Sequence, residues 1–313
     1  MHTLYPLQTS PETLQNTAVA IGVFDGVHRG HQEILKQTVR EAHSQGLTPL
    51  ALTFDIHPTE LFAPHLSPPY IASLTQRVAL MEAYGGGIEA VAVVRFDRAF
   101  AGLSPESFVA DVLEGKLGAR HVLVGADFCY GSRRSGSVTT LLRDGARNGF
   151  AVTVVPPILI SGERVSSTQI RGLVAGGDLP AAVHLLGHPF VVQGVIGHGK
   201  RLGRTLGYPT ANLIPTQPGQ LLPGDGVYAA YAYLADGRVI RAAVSVGTNP
   251  TTDSDGGRKV EAFLMDGFAE DLYDTSIELD FREKVRDERK FDDFDGLIAQ
   301  MRQDVEQIAA RLG

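Results

Sequence analysis

Apolar positions follow two rhythms along the chain. Up to residue 155 the apolar runs are nearly unbroken, at residues 17–24, 47–54, 88–96, 120–125 and 150–155. Such runs belong to strands covered on both faces. Between them, residues 31–44, 75–84, 104–117 and 136–148 have helical character. Gly46 is placed to end the first helix in a left-handed conformation, and Ser104-Pro105-Glu106 has the chemistry of a helix start. Strands alternating with helices predict a parallel sheet with right-handed crossovers, a Rossmann-like α/β domain. Past His188-Pro189 the rhythm shortens. Residues 190–196, 226–234, 239–246, 259–265 and 277–281 are β-rich and have no helix between them, and Asp236-Gly237 is a hairpin signal. They predict a small antiparallel β-barrel. Leu297, Ile298, Met301, Val305, Ile308 and Leu312 fall at helical spacing, so residues 291–312 are expected to close the chain as an amphipathic helix packed on the core. The expected domains are 1–187 and 188–313.

Composition adds mainly exclusions. A length of 313 residues is long for one core, in keeping with two domains. The formal net charge of −7 speaks against a nucleic-acid partner, since such domains usually carry a basic face. No apolar run approaches the roughly 20 residues that span a bilayer, and the first residues lack the basic and apolar regions of a signal peptide. The expectation is a cytoplasmic protein acting on small molecules, without a membrane partner, as a monomer or weak homo-oligomer. Cys129 is the single cysteine, so no intrachain disulfide forms, and no Cys/His set has zinc spacing. Cys129 is expected to be a small buried apolar residue.

Residues 22–31 read Gly-Val-Phe-Asp-Gly-Val-His-Arg-Gly-His, between a strand-like and a helix-like run. Strand, glycine-rich turn and helix present free backbone N–H groups and a positive helix end to a phosphate. His28 and His31 fall on about the same helix face, where two imidazoles can donate to phosphate oxygens as charge builds in a transition state. No serine, cysteine or lysine nucleophile sits beside them, which favours direct phosphoryl or nucleotidyl transfer. A plain glycine turn with two surface histidines is the alternative. His57 and Asp127 each follow a strand, where α/β sheets bind ligands. Arg133 and Arg134 lie in the loop after Asp127. Ser166 or Ser167 can cap a helix, and Arg164 and Arg171 can add forked hydrogen bonds to a phosphate.

In residues 197–212 glycines let the backbone approach phosphate oxygens, but the ending of a P-loop is missing. Thr210 and Asn212 share a face if the segment is extended, and their oxygens suit magnesium. Glu261 is the one carboxylate in an apolar alternating strand and a candidate to accept an alcohol proton. A surface glutamate is the alternative.

The spacing from His28 to His31 resembles the signature of the HxGH nucleotidyltransferases. The longer run of residues 22–31, with Asp127 and an R-x-S-S-T-x-x-R pattern at Arg164, Ser166, Ser167, Thr168 and Arg171, resembles the adenylyltransferase module of bacterial bifunctional riboflavin kinase/FAD synthetases, over about residues 10–185. Pro209-Thr210-Ala211-Asn212 resembles the P-T-A-N signature of their riboflavin kinase module, over residues 188–313. The resemblance implies phosphorylation of riboflavin to FMN and adenylylation of FMN to FAD, each with ATP and Mg²⁺, the second releasing pyrophosphate. It implies that His28 and His31 stabilise the transferring group, within an ATP site that takes in Gly22, Phe24, Asp25, Asp127, Arg164, Ser167, Thr168 and Arg171. In the kinase module it implies ATP contacts from Gly199, Lys200, Arg201, Gly203, Arg204 and Thr210, Mg²⁺ at Thr210 and Asn212, and Glu261 as general base. Arg286 and Phe291 would lie at the flavin end of that module. Phe62 and Phe128 are the aromatic candidates for the flavin of the other. Three positions depart from the family's pattern: Tyr130 in place of phenylalanine, Phe263 in place of histidine and Asn249 in place of arginine. A chain with one live module, an adenylyltransferase of other substrates and a non-catalytic flavin- or nucleotide-binding protein are the competing readings. Glu261 and the paired histidines stand against the last.

Overall fold

A computed structural model describes residues 1–198, 209–248, 258–268, 270–291 and 293–313. The chain forms two compact units, residues 1–68 with 74–166, and residues 69–73 with 167–313. The passage into the second unit comes at Ser166/Ser167.

The first unit is built on a six-stranded sheet of order β1-β4-β3-β2-β5-β8. Its strands are β1 (His2–Leu4), β2 (Thr17–Ile21), β3 (Thr48–Phe54), β4 (Ala90–Val94), β5 (Ala119–Gly125) and β8 (Ala151–Val155). All its pairings are parallel. Every residue of β2 and β4 is buried, as the unbroken apolar runs require. Ala20 faces the side covered by α1 (Arg29–Gln45) and α3 (Leu74–Tyr84). Val19 and Ile21 face the side covered by Phe108, Val112 and Leu113. Those three belong to a π-helical stretch, Phe108–Lys116, that continues from α5 (Pro105–Ser107) where an ordinary α-helix was expected. β1 was not foreseen, being three residues long with two of them exposed. Successive strands run outward in opposite directions from β2 and β5, so a topological switch point lies between those two.

Smaller elements decorate the carboxyl edge. α2 (Pro58–Phe62) follows β3, and α4 (Arg98–Ala101) follows β4. β6 (Cys129–Tyr130) pairs with β7 (Gly136–Ser137), ahead of α6 (Val138–Asn148). β9 (Leu159–Ile160) pairs with β10 (Glu163–Arg164). Cys129 is exposed, against expectation. Side chains alternate along β6, and it is Tyr130 that turns into the core beside Phe108.

The second unit holds α7 (Ser167–Gly176), α8 (Leu179–Leu186) and a closed antiparallel barrel of order β11-β12-β15-β14-β13-β16. The barrel strands are β11 (Phe190–Gly197), β12 (Thr210–Pro215), β13 (Gly226–Leu234), β14 (Val239–Gly247), β15 (Lys259–Leu264) and β16 (Ser276–Arg286). Val192, Ala230, Ala262 and Phe281 fill its interior at alternate positions. Outside, α9 (Phe294–Leu312) lays Val305, Ile308 and Leu312 against Val227, Ala243 and Phe263, as its apolar stripe predicted.

Candidate active sites

The carboxyl end of β2 leads into a turn that few side chains tolerate. Phe24, Gly26 and Val27 all have positive φ, at 53°, 74° and 37°. For Phe24 and the β-branched Val27 this costs on the order of 1–3 kcal/mol each. The turn is held by burial, since both side chains are fully enclosed with Leu35 and Met81. It delivers His28 to the N-cap of α1, where Nδ1 accepts the backbone N–H of His31 at 3.3 Å. That bond makes Nε2 the proton-bearing nitrogen of the neutral ring. The His28 and His31 rings stack, with centroids 3.6 Å apart at 15°. Gly30 suits this packing, because a Cβ there would stand 3.1 Å from Cε1 of His28 and press on the ring. Two imidazoles and the first N–H groups of α1 therefore converge beside the switch point, an arrangement suited to a phosphate.

The remaining expected residues of this half are placed as follows. Phe24 is fully buried and supports His31 edge-on at 5.3 Å, while Gly22 leaves room for the Phe24 ring. Asp25 is also buried. At the end of β5, Asp127 accepts a hydrogen bond of 2.8 Å from Arg164 on β10, and that bond holds its carboxyl below the usual range. Phe128 lies parallel to Tyr130 with centroids 5.6 Å apart. Phe62 is 64% exposed on α2, whose N-cap is His57. Ser167, Thr168 and Arg171 are on α7, in the second unit, where Arg171 Nε donates to the Pro69 carbonyl at 2.8 Å.

In the barrel, register does the assembling. Asn212 lies opposite Glu261, and Glu261 opposite Ser245 on the other side. Thr210 lies opposite Phe263. Residues two apart share a face, so Thr210, Asn212, Glu261 and Ser245 share the outward wall. Burial pushes the Glu261 carboxyl above its ordinary pKa, with Lys259 pulling the other way. A carboxylate raised in this way, on one face with hydroxyl and amide oxygens, has the chemistry to accept a proton next to hard oxygen donors. Thr210 also borders a cavity of about 180 Å³ between Ile196, Leu264, Phe268, Leu272 and Tyr273. His198 stacks on Tyr273 at 4.2 Å. Gly199, Lys200, Arg201, Gly203 and Arg204 lie outside the described residues, as does Asn249. The Arg286 guanidinium grips Asp304 of α9 at 2.8–3.0 Å. Phe291 lies under Arg286 and Arg289, at 5.9 and 5.7 Å. Ser245 and the cavity-lining Tyr273 escaped the sequence analysis, because only strand register brings Ser245 opposite Glu261 and only the folded barrel brings Tyr273 to the cavity beside Thr210.

Comparison with known proteins finds two matching family models, FAD synthetase over residues 10–169 and riboflavin kinase over residues 186–312. The bifunctional riboflavin kinase/FMN adenylyltransferase of Escherichia coli strain K12 is 35% identical over 308 residues, covering 98% of this chain and 95% of that one. Its namesake in Listeria monocytogenes is 35% identical over 314 residues, covering 99% and 98%. A crystal structure described as a macrolide-efflux protein from Streptococcus pneumoniae superimposes with a TM-score of 0.81 at 29% identity, over 97% of both chains. The efflux description stays with that protein. Among the described residues here, no helix is long and apolar enough to cross a membrane.

Proposed function

The chain belongs to the family of bifunctional riboflavin kinases/FMN adenylyltransferases, and we infer that it makes FAD in two steps at two separate sites. The barrel phosphorylates the 5′-hydroxyl of riboflavin with ATP. The α/β module joins the resulting FMN to the adenylyl group of a second ATP and releases pyrophosphate. We assign the first role to residues 188–313 and the second to residues 1–187.

The observation that carries the kinase assignment is the placement of Glu261 directly across from Asn212, on the outward face it shares with Thr210. Glu261 takes the proton of the 5′-hydroxyl as that oxygen attacks the γ-phosphorus of ATP, and ADP leaves. Its raised pKa brings it closer to the working pH of a general base. Thr210 and Asn212 offer the hard oxygens that fit Mg²⁺, which when bound would supply charge neutralisation for the phosphates. The cavity beside Thr210, whose apolar lining is edged by Glu270 and Asp271, offers surface to the base of the nucleotide, with Tyr273 as a stacking partner. In the other module a phosphate oxygen of FMN attacks the α-phosphorus of ATP. His28, through Nε2–H, and His31 donate to the oxygens that gain charge, together with the N-terminus of α1. Phe62 and Phe128 supply aromatic surface for the flavin. Neither step passes through a covalent enzyme intermediate. ATP use and a single cysteine fit a cytoplasmic enzyme.

A chromatographic time course with riboflavin, ATP and Mg²⁺ tests the scheme. FMN is expected first and FAD after it. E261Q should stop FMN formation and still convert added FMN to FAD; H28A with H31A should do the reverse. Loss of both activities in one folded variant overturns the two-site scheme.

A further inference from the structure

Arg77 is fully buried, and it is the bulkiest of the fully enclosed side chains among the described residues. No motif of the sequence drew attention to it. Its guanidinium is spent on the carboxyl ends of two neighbouring strands. Nη1 donates to the carbonyl of Val23 at 2.8 Å and to Thr53 Oγ1 at 3.4 Å. Nη2 donates to the carbonyl of Asp55 at 3.1 Å. Thr53 Oγ1 in turn donates to the same Val23 carbonyl at 3.0 Å. Val23 immediately precedes the left-handed Phe24 and opens the turn that ends at His28. The far end of that turn is held by Gln32, whose Nε2 donates to the Val27 carbonyl at 2.9 Å. Leu74, Val78 and Met81 of α3 pack in the same cluster as Phe24 and Val27.

We propose that Arg77 is a positioning residue for adenylyl transfer: by clamping the Val23 and Asp55 carbonyls it holds the strained turn in the one shape that sets His28 and His31 toward the reacting phosphate. This rests on the role given above to the two histidines. A turn with positive φ at Phe24, Gly26 and Val27 keeps that shape only when its surroundings over-determine it. A planar fork with donors at fixed separation binds two carbonyls at a set distance, which a single ammonium cannot. His28 has little slack of its own, since Nδ1 is tied to the His31 N–H and the ring is stacked on its neighbour. A movement of Val23 is therefore passed on to Nε2. Reactions that depend on positioning tolerate little of this, with about a hundredfold lost for a displacement near 1 Å.

The test compares R77M, R77K and T53V with wild type in the full chain, using FMN and ATP as substrates. R77M is expected to lower kcat for FAD formation by roughly 30–100-fold, with KM for ATP and for FMN within about threefold of wild type. R77K should lose roughly tenfold and T53V a few-fold. Riboflavin phosphorylation by the same preparations should stay at the wild-type rate. Hydrogen exchange should quicken at the amides of residues 22–28 in R77M and stay slow in β2–β5, which a general loosening of the unit would not produce. A wild-type kcat in R77M overturns the proposal, and so does an effect confined to KM. If R77M does not fold, wild-type kcat values in both R77K and T53V overturn it. H28A separates the two ideas. FAD formation undiminished in H28A removes the histidine role, whereas its loss in H28A with a wild-type kcat in R77M removes only the role of Arg77.

Discussion

The two units hold their chemistry in opposite ways. In the α/β unit His28 and His31 sit on a turn, and its shape is set from behind by the buried Phe24, Val27 and Arg77. In the barrel Thr210, Asn212 and Glu261 stand on two strands whose ladder fixes their spacing. A site on a ladder needs few supporting side chains because the backbone supplies the template. A site on a strained turn needs a buried supporting shell, and so its activity is exposed to substitutions far from the chemistry.

The strongest challenge to this contrast is E261Q. Removing a general base typically costs 10²–10⁴-fold, so riboflavin phosphorylation should fall about 10³-fold while FMN adenylylation is unaffected. Steady-state assays of each half-reaction check this. H28A comes next: losing one donor to a developing charge should cost adenylylation about 10²-fold, and losing the N-cap should lower stability by about 1 kcal/mol. G30A is smaller but sharper. Alanine favours the helix over glycine by about 0.5–1 kcal/mol, yet its Cβ would press on the His28 ring. The expected outcome is an unchanged or higher melting temperature with adenylylation down about tenfold.

The smallest effect concerns pH and has opposite signs in the two units. Burial pushes the His121 imidazole of β5 below its ordinary pKa, where Gln45 and Thr153 bond its two nitrogens. Below about pH 6.5 the unfolded chain binds the extra proton first, so the α/β unit loses stability as pH falls. Burial pushes the Asp280 carboxyl of β16 up to about 6, even with Arg282 at 2.7 Å. Between about pH 6 and 4 the folded barrel binds the proton that the unfolded chain does not, so the barrel gains stability as pH falls. Calorimetry of H121Q and D280N against wild type from pH 7 to 4.5 should show melting-temperature differences that change by roughly 2–4 °C, in opposite directions.

Much of this was legible in the sequence, for identifiable reasons. The parallel sheet announced itself because strands covered on both faces leave no room for polar residues, as in β2 and β4. Thr210 and Asn212 could be put on one face because strand periodicity needs no partner to be read. What stayed hidden depended on partners. Ser245 reaches Glu261 only through the register of β14 on β15. The exposure of Cys129 follows from the inward turn of Tyr130. Arg77 looks like any cation on a helix until the strand ends it serves are known. The affiliation of α7 and α8 with the barrel also depends on packing that composition does not encode.

Residues 69–73 belong with the barrel although their neighbours on both sides belong with the sheet. Tyr70 bonds there as a strand would: its N–H donates to the Gly219 carbonyl, its carbonyl accepts from Leu221, and Gln220 reaches the carbonyls of Tyr70 and Ile71. The backbone therefore passes between the units three times, after residues 68, 73 and 166. A single nick after residue 166 leaves two threads uncut. A kinase fragment expressed from residue 188 onward would leave the N–H of Leu221 and the carbonyl of Gly219 unmatched where the borrowed strap had lain. Evolution or engineering that wished to part the two activities would have to reroute a strap, not simply sever a linker.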